Sequence, residues 1–89
     1  MIEQRIYIQN KLGLHARASA KLATEASHFE ADIMLIKDHI EVNCKSIMGI
    51  MMLAACKGTD LTVRADGEDA DAALAAIAAL VDDRFGEDE

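Results

Sequence analysis

The chain has 89 residues, 52% of them hydrophobic but with no Trp, one Tyr and two Phe, which points to one domain over 1–89 with a core of Ile, Leu, Val, Met and Ala. A formal charge of −7 argues against a nucleic-acid or anionic-membrane surface, whose footprint is basic. The opening "MIEQRIYIQN" lacks a signal peptide's apolar run, and nothing approaches the roughly 20 apolar residues of a membrane span, so a cytoplasmic protein without membrane insertion is expected.

Ile2, Ile6 and Ile8 alternate with polar neighbours over residues 2–8, the period of a half-buried strand. "NKLG" turns the chain at Asn10 and Gly13. From Ala16 to about Ser27, the residues Ser19, Leu22, Ala23 and Ala26 share one face of a helix. "DIMLIK" at 32–37 and "IEVN" at 40–43 read as two strands joined by a tight turn at Asp38 and His39.

Ser46 is a good N-cap for the next helix, on which Ile47, Ile50, Met51 and Ala54 are expected to share a face, with Gly58 as the stop. "DLTVRAD" at 60–66 turns Leu61, Val63 and Ala65 inward as a fourth strand. After Gly67 the longest helix is expected over 69–84, with Ala70, Ala73, Leu74, Ile77 and Val81 as its stripe and Glu68, Asp69 and Asp71 near its positive end. The order β-α-β-β-α-β-α, with cleanly alternating strands, favours an α+β two-layer sandwich: an antiparallel sheet wet on one face and covered by helices on the other.

Chemistry concentrates in "GLHAR". His15 falls at the N-cap of the first helix, where backbone N–H groups lack intrahelical partners and the helix dipole is positive. That end can hold a phosphate or carboxylate and favours a ring nitrogen left free to attack. Arg17 adds a guanidinium whose fork matches phosphate oxygens. A histidine at a helix start more often only caps it, and a nearby arginine is usually a solvated charge. The alternative is a covalent phosphohistidine. Cys44 and Cys56 read as free, partly buried thiols. Neither they nor His15, His28 and His39 have the spacing of a zinc site, so no metal and no cofactor is expected.

"NKLGLHARASAKL" followed by "KSIMGIMMLAACKGTDLTV" resembles the HPr family, the histidine-containing phosphocarriers of the bacterial phosphoenolpyruvate-dependent phosphotransferase system. The resemblance covers nearly the whole chain. It implies a four-stranded antiparallel sheet in the order 1-4-2-3 with three helices on one face. It implies that His15 takes a phosphoryl group on Nδ1 from enzyme I and passes it to an EIIA-type acceptor domain. Arg17 and the backbone N–H groups of Ala16 and Arg17 would hold the phosphoryl oxygens.

The protein would be a stoichiometric carrier, a monomer, and not an enzyme with turnover. In many members the serine corresponding to Ser46 is phosphorylated by an HPr kinase/phosphorylase, so Ser46 is a candidate regulatory site. The family docks through helix one and the short second helix, which makes Ala16, Ala20, Ile47, Met48 and Met51 the expected partner face. Flexible methionines suit a surface that accepts several partners.

The sequence departs from the family in two places. Ala18 stands where the family often has proline. Thr24, Ser27 and Gly49 stand where enteric members carry a basic ring, leaving Arg17, Lys21 and Lys45 as the cations near the histidine. A non-catalytic adaptor with the same fold is the competing reading. An acyl carrier protein fits the acidity but not the four strand patterns, and Ser46 lacks the Asp-Ser-Leu attachment motif.

Overall fold

The structure, a computed structural model, describes residues 1–88. Its strands are β1 (Ile2–Tyr7), β2 (Asp32–Lys37), β3 (Ile40–Asn43) and β4 (Asp60–Asp66). Its helices are α1 (Ala16–Ala26), α2 (Ile47–Met52) and α3 (Ala70–Asp82), and a 3-10 turn follows at Arg84–Gly86. All strand pairs are antiparallel, in the order β1-β4-β2-β3. The register runs from Ile2 opposite Ala65 to Tyr7 opposite Asp60, and from Asp32 opposite Asp66 to Ile36 opposite Thr62. The expected fold class, sheet order and helix count are therefore those found.

Alternation decides which face is dry. Ile6, Leu61, Val63, Ala65, Ile33 and Leu35 point inward and are buried against the helix stripes of Leu22, Ile77 and Val81. On the opposite face Arg64 donates from Nε to Glu3 and from Nη1 to Glu41, both at 2.9 Å. This wet face carries charge, and the side under the helices carries the core.

The strand bounds 32–37, 40–43 and 60–66 are as expected, and β1 stops one residue early. Ile8 stays fully buried and exchanges backbone hydrogen bonds with Thr59 and Gly58, at 3.0 and 2.8 Å.

The helix ends differ more. In α2 only Ile50 is buried, whereas Ile47 and Met51 are each 43% exposed and Ala54 is exposed. The expected stripe Ile47, Ile50, Met51, Ala54 is thus corrected to Ile50 followed by Leu53 at the C-cap. The helix does not continue to Gly58, because Ala54 adopts φ 51 and redirects the chain so that Ala55 is buried and its carbonyl accepts from Leu14 N–H at 2.8 Å. Lys37 donates from Nζ to the Leu53 carbonyl at 3.0 Å, satisfying one of the acceptors this early ending leaves.

Helix α3 ends at Asp82, two residues short of the expected 84. Arg84, Phe85 and Gly86 then take φ of 53, 55 and 77, a left-handed run that folds the chain back. Two non-glycine residues in that region are costly unless something holds them. The fully buried Phe85 ring and the Lys21 Nζ hydrogen bond to the Phe85 carbonyl, at 2.7 Å, do so. At the other end of α3, Asp69 stands at the N-cap position without capping the helix. Its carboxylate instead accepts from the N–H groups of Glu30 and Ala31, both at 2.9 Å, and ties the approach to β2 to the start of α3.

Candidate functional site

The loop before α1 is set by two buried features. Gly13 has φ +65, and a Cβ there would lie 2.5 Å from the Ala55 carbonyl oxygen and 2.7 Å from Cys56 Cα, so only glycine lets the two loops approach. Asn10, fully buried, donates from Nδ2 to the Gly13 carbonyl at 2.8 Å. The turn that these residues fix delivers His15 to the mouth of α1.

His15 is the N-cap of α1, as expected. Its backbone is extended (φ −75, ψ 179), its carbonyl accepts the first helical hydrogen bond from Ser19 N–H at 2.8 Å, and its Nδ1 accepts from Arg17 N–H at 3.3 Å. The amides of Ala16, Arg17 and Ala18 precede that first helical bond and so lack intrahelical partners at the helix's positive end, Arg17 N–H being held by Nδ1 instead. The ring is 28% exposed. Nδ1 therefore faces the amides that would receive an anion.

Beside the ring lies an open hollow of about 650 Å³, whose lining includes Lys11, Leu12, Arg17 and Lys21 together with Gly86, Glu87 and Asp88 of the tail. Its three cations thus share the hollow with two carboxylates, those of Glu87 and Asp88. Of the cations expected near the histidine, Arg17 and Lys21 line it. Lys45 is engaged elsewhere, donating to the Phe29 carbonyl at 2.8 Å.

Glu87 is the part of the site that the sequence reading missed. Its Oε2 lies 2.7 Å from His15 Nε2, and its Oε1 accepts from Asn10 Nδ2 at 3.1 Å. Burial acts to raise its carboxyl pKa, but the hydrogen bonds to His15 and Asn10 and the positive surroundings, Lys21 among them, outweigh it, and the net shift is downward. Read in sequence, "GEDE" is an acidic tail; nothing in the local pattern announces the turn that brings it 72 residues back to His15.

Ser46 caps α2 with its Oγ accepting from Gly49 N–H at 3.1 Å, as expected. Of the expected partner face, Ala16 is exposed, Ala20 half-buried, and Ile47, Met48 and Met51 are exposed, Met48 to 77%. Met52 is exposed to 76%, in keeping with the surplus of methionines on this short helix, and Leu12 at 66% is an exposed apolar side chain that the sequence reading did not name. Cys44 is buried and Cys56 exposed, which corrects the expectation of two partly buried thiols. His28 and His39 are exposed. Among the described residues no group of three or more His, Cys, Asp or Glu could hold a metal ion, and no helix is long and apolar enough to cross a membrane.

Comparison with known proteins places the chain in a family. The family model for the HPr component phosphorylation site of the phosphotransferase system matches residues 2–83. Phosphocarrier protein HPr of Xylella fastidiosa is 50% identical over 88 residues, 99% of each chain. That of Neisseria meningitidis is 49% identical over 89 residues, the whole of both chains. A crystal structure of HPr from Thermoanaerobacter tengcongensis superposes with a TM-score of 0.96 at 43% identity, covering all of both chains. The chain belongs to the HPr family, the histidine-containing phosphocarrier proteins of the phosphotransferase system.

Proposed function

We propose that His15 is the residue that carries the phosphoryl group. In this reading it accepts the group on Nδ1 from phosphorylated enzyme I and yields it to an EIIA-type acceptor domain, in the cytoplasm and as a monomer. The observation that carries the proposal is the position of Nδ1, 3.3 Å from Arg17 N–H at the open end of α1 and beside a hollow lined by Lys11, Arg17 and Lys21. A phosphoryl group on Nδ1 has the helix-end amides of Ala16 and Arg17 for hydrogen bonds and the Arg17 guanidinium for charge. Catalysis here is positioning and electrostatic neutralisation, with the docked partner excluding water. The chain acts once per phosphoryl group and is regenerated by the next donor.

The exposed Ile47, Met48 and Met51 on α2, with Ala16 and Ala20 on the adjoining α1, supply the partner face. Ser46 is proposed as a regulatory phosphorylation site for an HPr kinase/phosphorylase. Its hydroxyl already lies at a helix N-terminus, where a phosphate is tolerated, and the added charge would sit on the docking face.

The test is intact mass after incubation with phosphoenolpyruvate, magnesium and a bacterial enzyme I. The expected result is the gain of one acid-labile phosphate, absent from His15→Ala. An unmodified wild-type chain with the organism's own enzyme I would overturn the relay and favour the adaptor.

A further inference from the structure

The tail residue Glu87 lies beyond the stretch matched by the family model, residues 2–83, yet it holds the ring nitrogen that the relay leaves unused. We propose that Glu87 is a positioning residue for phosphoryl transfer: it fixes His15 with its proton on Nε2 and faces the positive charge that the ring acquires when Nδ1 is phosphorylated. This inference rests on the reading of His15 as the carrier residue.

The ring's tautomer follows from its two contacts. Nδ1 accepts from Arg17 N–H and so carries a lone pair, which leaves the single proton of the neutral ring on Nε2, where it is donated to Glu87 Oε2 at 2.7 Å. Glu87 is itself held: Asn10 donates to its other oxygen, and Asn10 is fully buried and anchored on Gly13. The Glu87 side chain is only 17% exposed. The chain thus presents a carboxylate, an imidazole and a nucleophilic nitrogen in line, the arrangement by which an acidic residue orients a histidine and stabilises its cation.

Acceptance balances without proton movement. The Nδ1 lone pair forms the new N–P bond as the bond from phosphorus to the phosphorylated donor protein breaks, and that electron pair leaves with the donor. The ring becomes an imidazolium bearing the phosphoryl group on Nδ1 and its original proton on Nε2, still directed at Glu87. The phosphoryl charge and the carboxylate are on opposite edges of the ring, so Glu87 compensates the ring while Arg17 compensates the phosphoryl oxygens.

Two readouts test this, on the full chain and its Glu87→Gln and Glu87→Ala variants. In the wild type, nuclear magnetic resonance of ¹⁵N-histidine protein should show a hydrogen-bonded Nε2–H proton shifted downfield and slow to exchange with water. That signal should be lost in Glu87→Ala and move upfield in Glu87→Gln. In rapid-mixing experiments with phosphorylated enzyme I, both variants should accept the phosphoryl group about tenfold more slowly, with the half-saturating enzyme I concentration unchanged. Equal rates in all three proteins, with the wild type labelled, would overturn this inference and leave the carrier role standing. A wild type that takes no label would overturn both.

Discussion

At the scale of single residues, the site depends on one backbone position more than on any charge. Gly13 combines a left-handed φ with contact distances that no Cβ can occupy, and its partners are backbone atoms that cannot swing aside. Gly13→Ala should therefore cost about 2 kcal/mol or more, read as a lower urea midpoint, and should slow phosphorylation of His15 because the loop carrying it must shift. The sequence makes Gly13 legible as a turn residue and His15 as an N-cap, since both signals are local. Glu87 was illegible for the opposite reason. Its role arises from the left-handed run at Arg84–Gly86, and two of those three residues are types that rarely adopt that conformation.

At the scale of elements, α2 and the end of α3 show where pattern reading works and where it stops. Helix α2 has only six residues, too short for a periodic stripe to decide which face is buried, and the turn at Ala54 comes from packing under Gly13. The exposure of its methionines makes them available for docking. Met48→Ala and Met51→Ala should each weaken association with enzyme I while leaving the unfolding midpoint nearly unchanged, and titration calorimetry should show only a shallow dependence on salt. A steep salt dependence would mean that charge, not apolar contact, dominates the interface. Phe85 is the converse case, an aromatic ring buried completely beyond the last helix. Phe85→Ala should cost about 3–5 kcal/mol and release the tail from α1, abolishing the Nε2–H signal of His15 even with Glu87 intact.

At the scale of the whole molecule, stability should be highest between two limits of pH. The Asp69 carboxyl is held below its ordinary value, first by the Glu30 N–H, then against the opposing effect of burial by the Ala31 N–H and the charge of Lys45; Glu87 is lowered as well. Because the unfolded chain takes up these protons first, their stabilisation is full above the ordinary carboxyl values of 3.8 and 4.5 and is lost as pH falls through the lowered ones. Burial acts on Cys44 in the other direction, pushing its thiol from 9.0 up to about 12. Above pH 9.0 the unfolded thiol ionises and the folded one does not, so stability falls between 9.0 and about 12. Urea midpoints measured across pH should trace this plateau, with Asp69→Asn flattening the acid limb and Cys44→Ala the alkaline one. The fold itself was readable because each strand alternates and each turn carries its own residue signal. Ion pairs, caps and the tail contact were not, since they depend on which distant segments meet.

The sheet order has a consequence for a chain that emerges from its N-terminus. Among the described residues β1 pairs with β4 alone, so Ile2 waits for Ala65 before it is paired, whereas β2 and β3 can join as soon as Asn43 has appeared. The loop with the histidine is made early and lies between a strand still unpaired and a helix still uncovered. The carboxylate that orients its ring arrives only with Glu87. During synthesis His15 is therefore present long before its geometry is, and on the role proposed for Glu87 a growing chain should accept a phosphoryl group only slowly until the molecule is nearly whole.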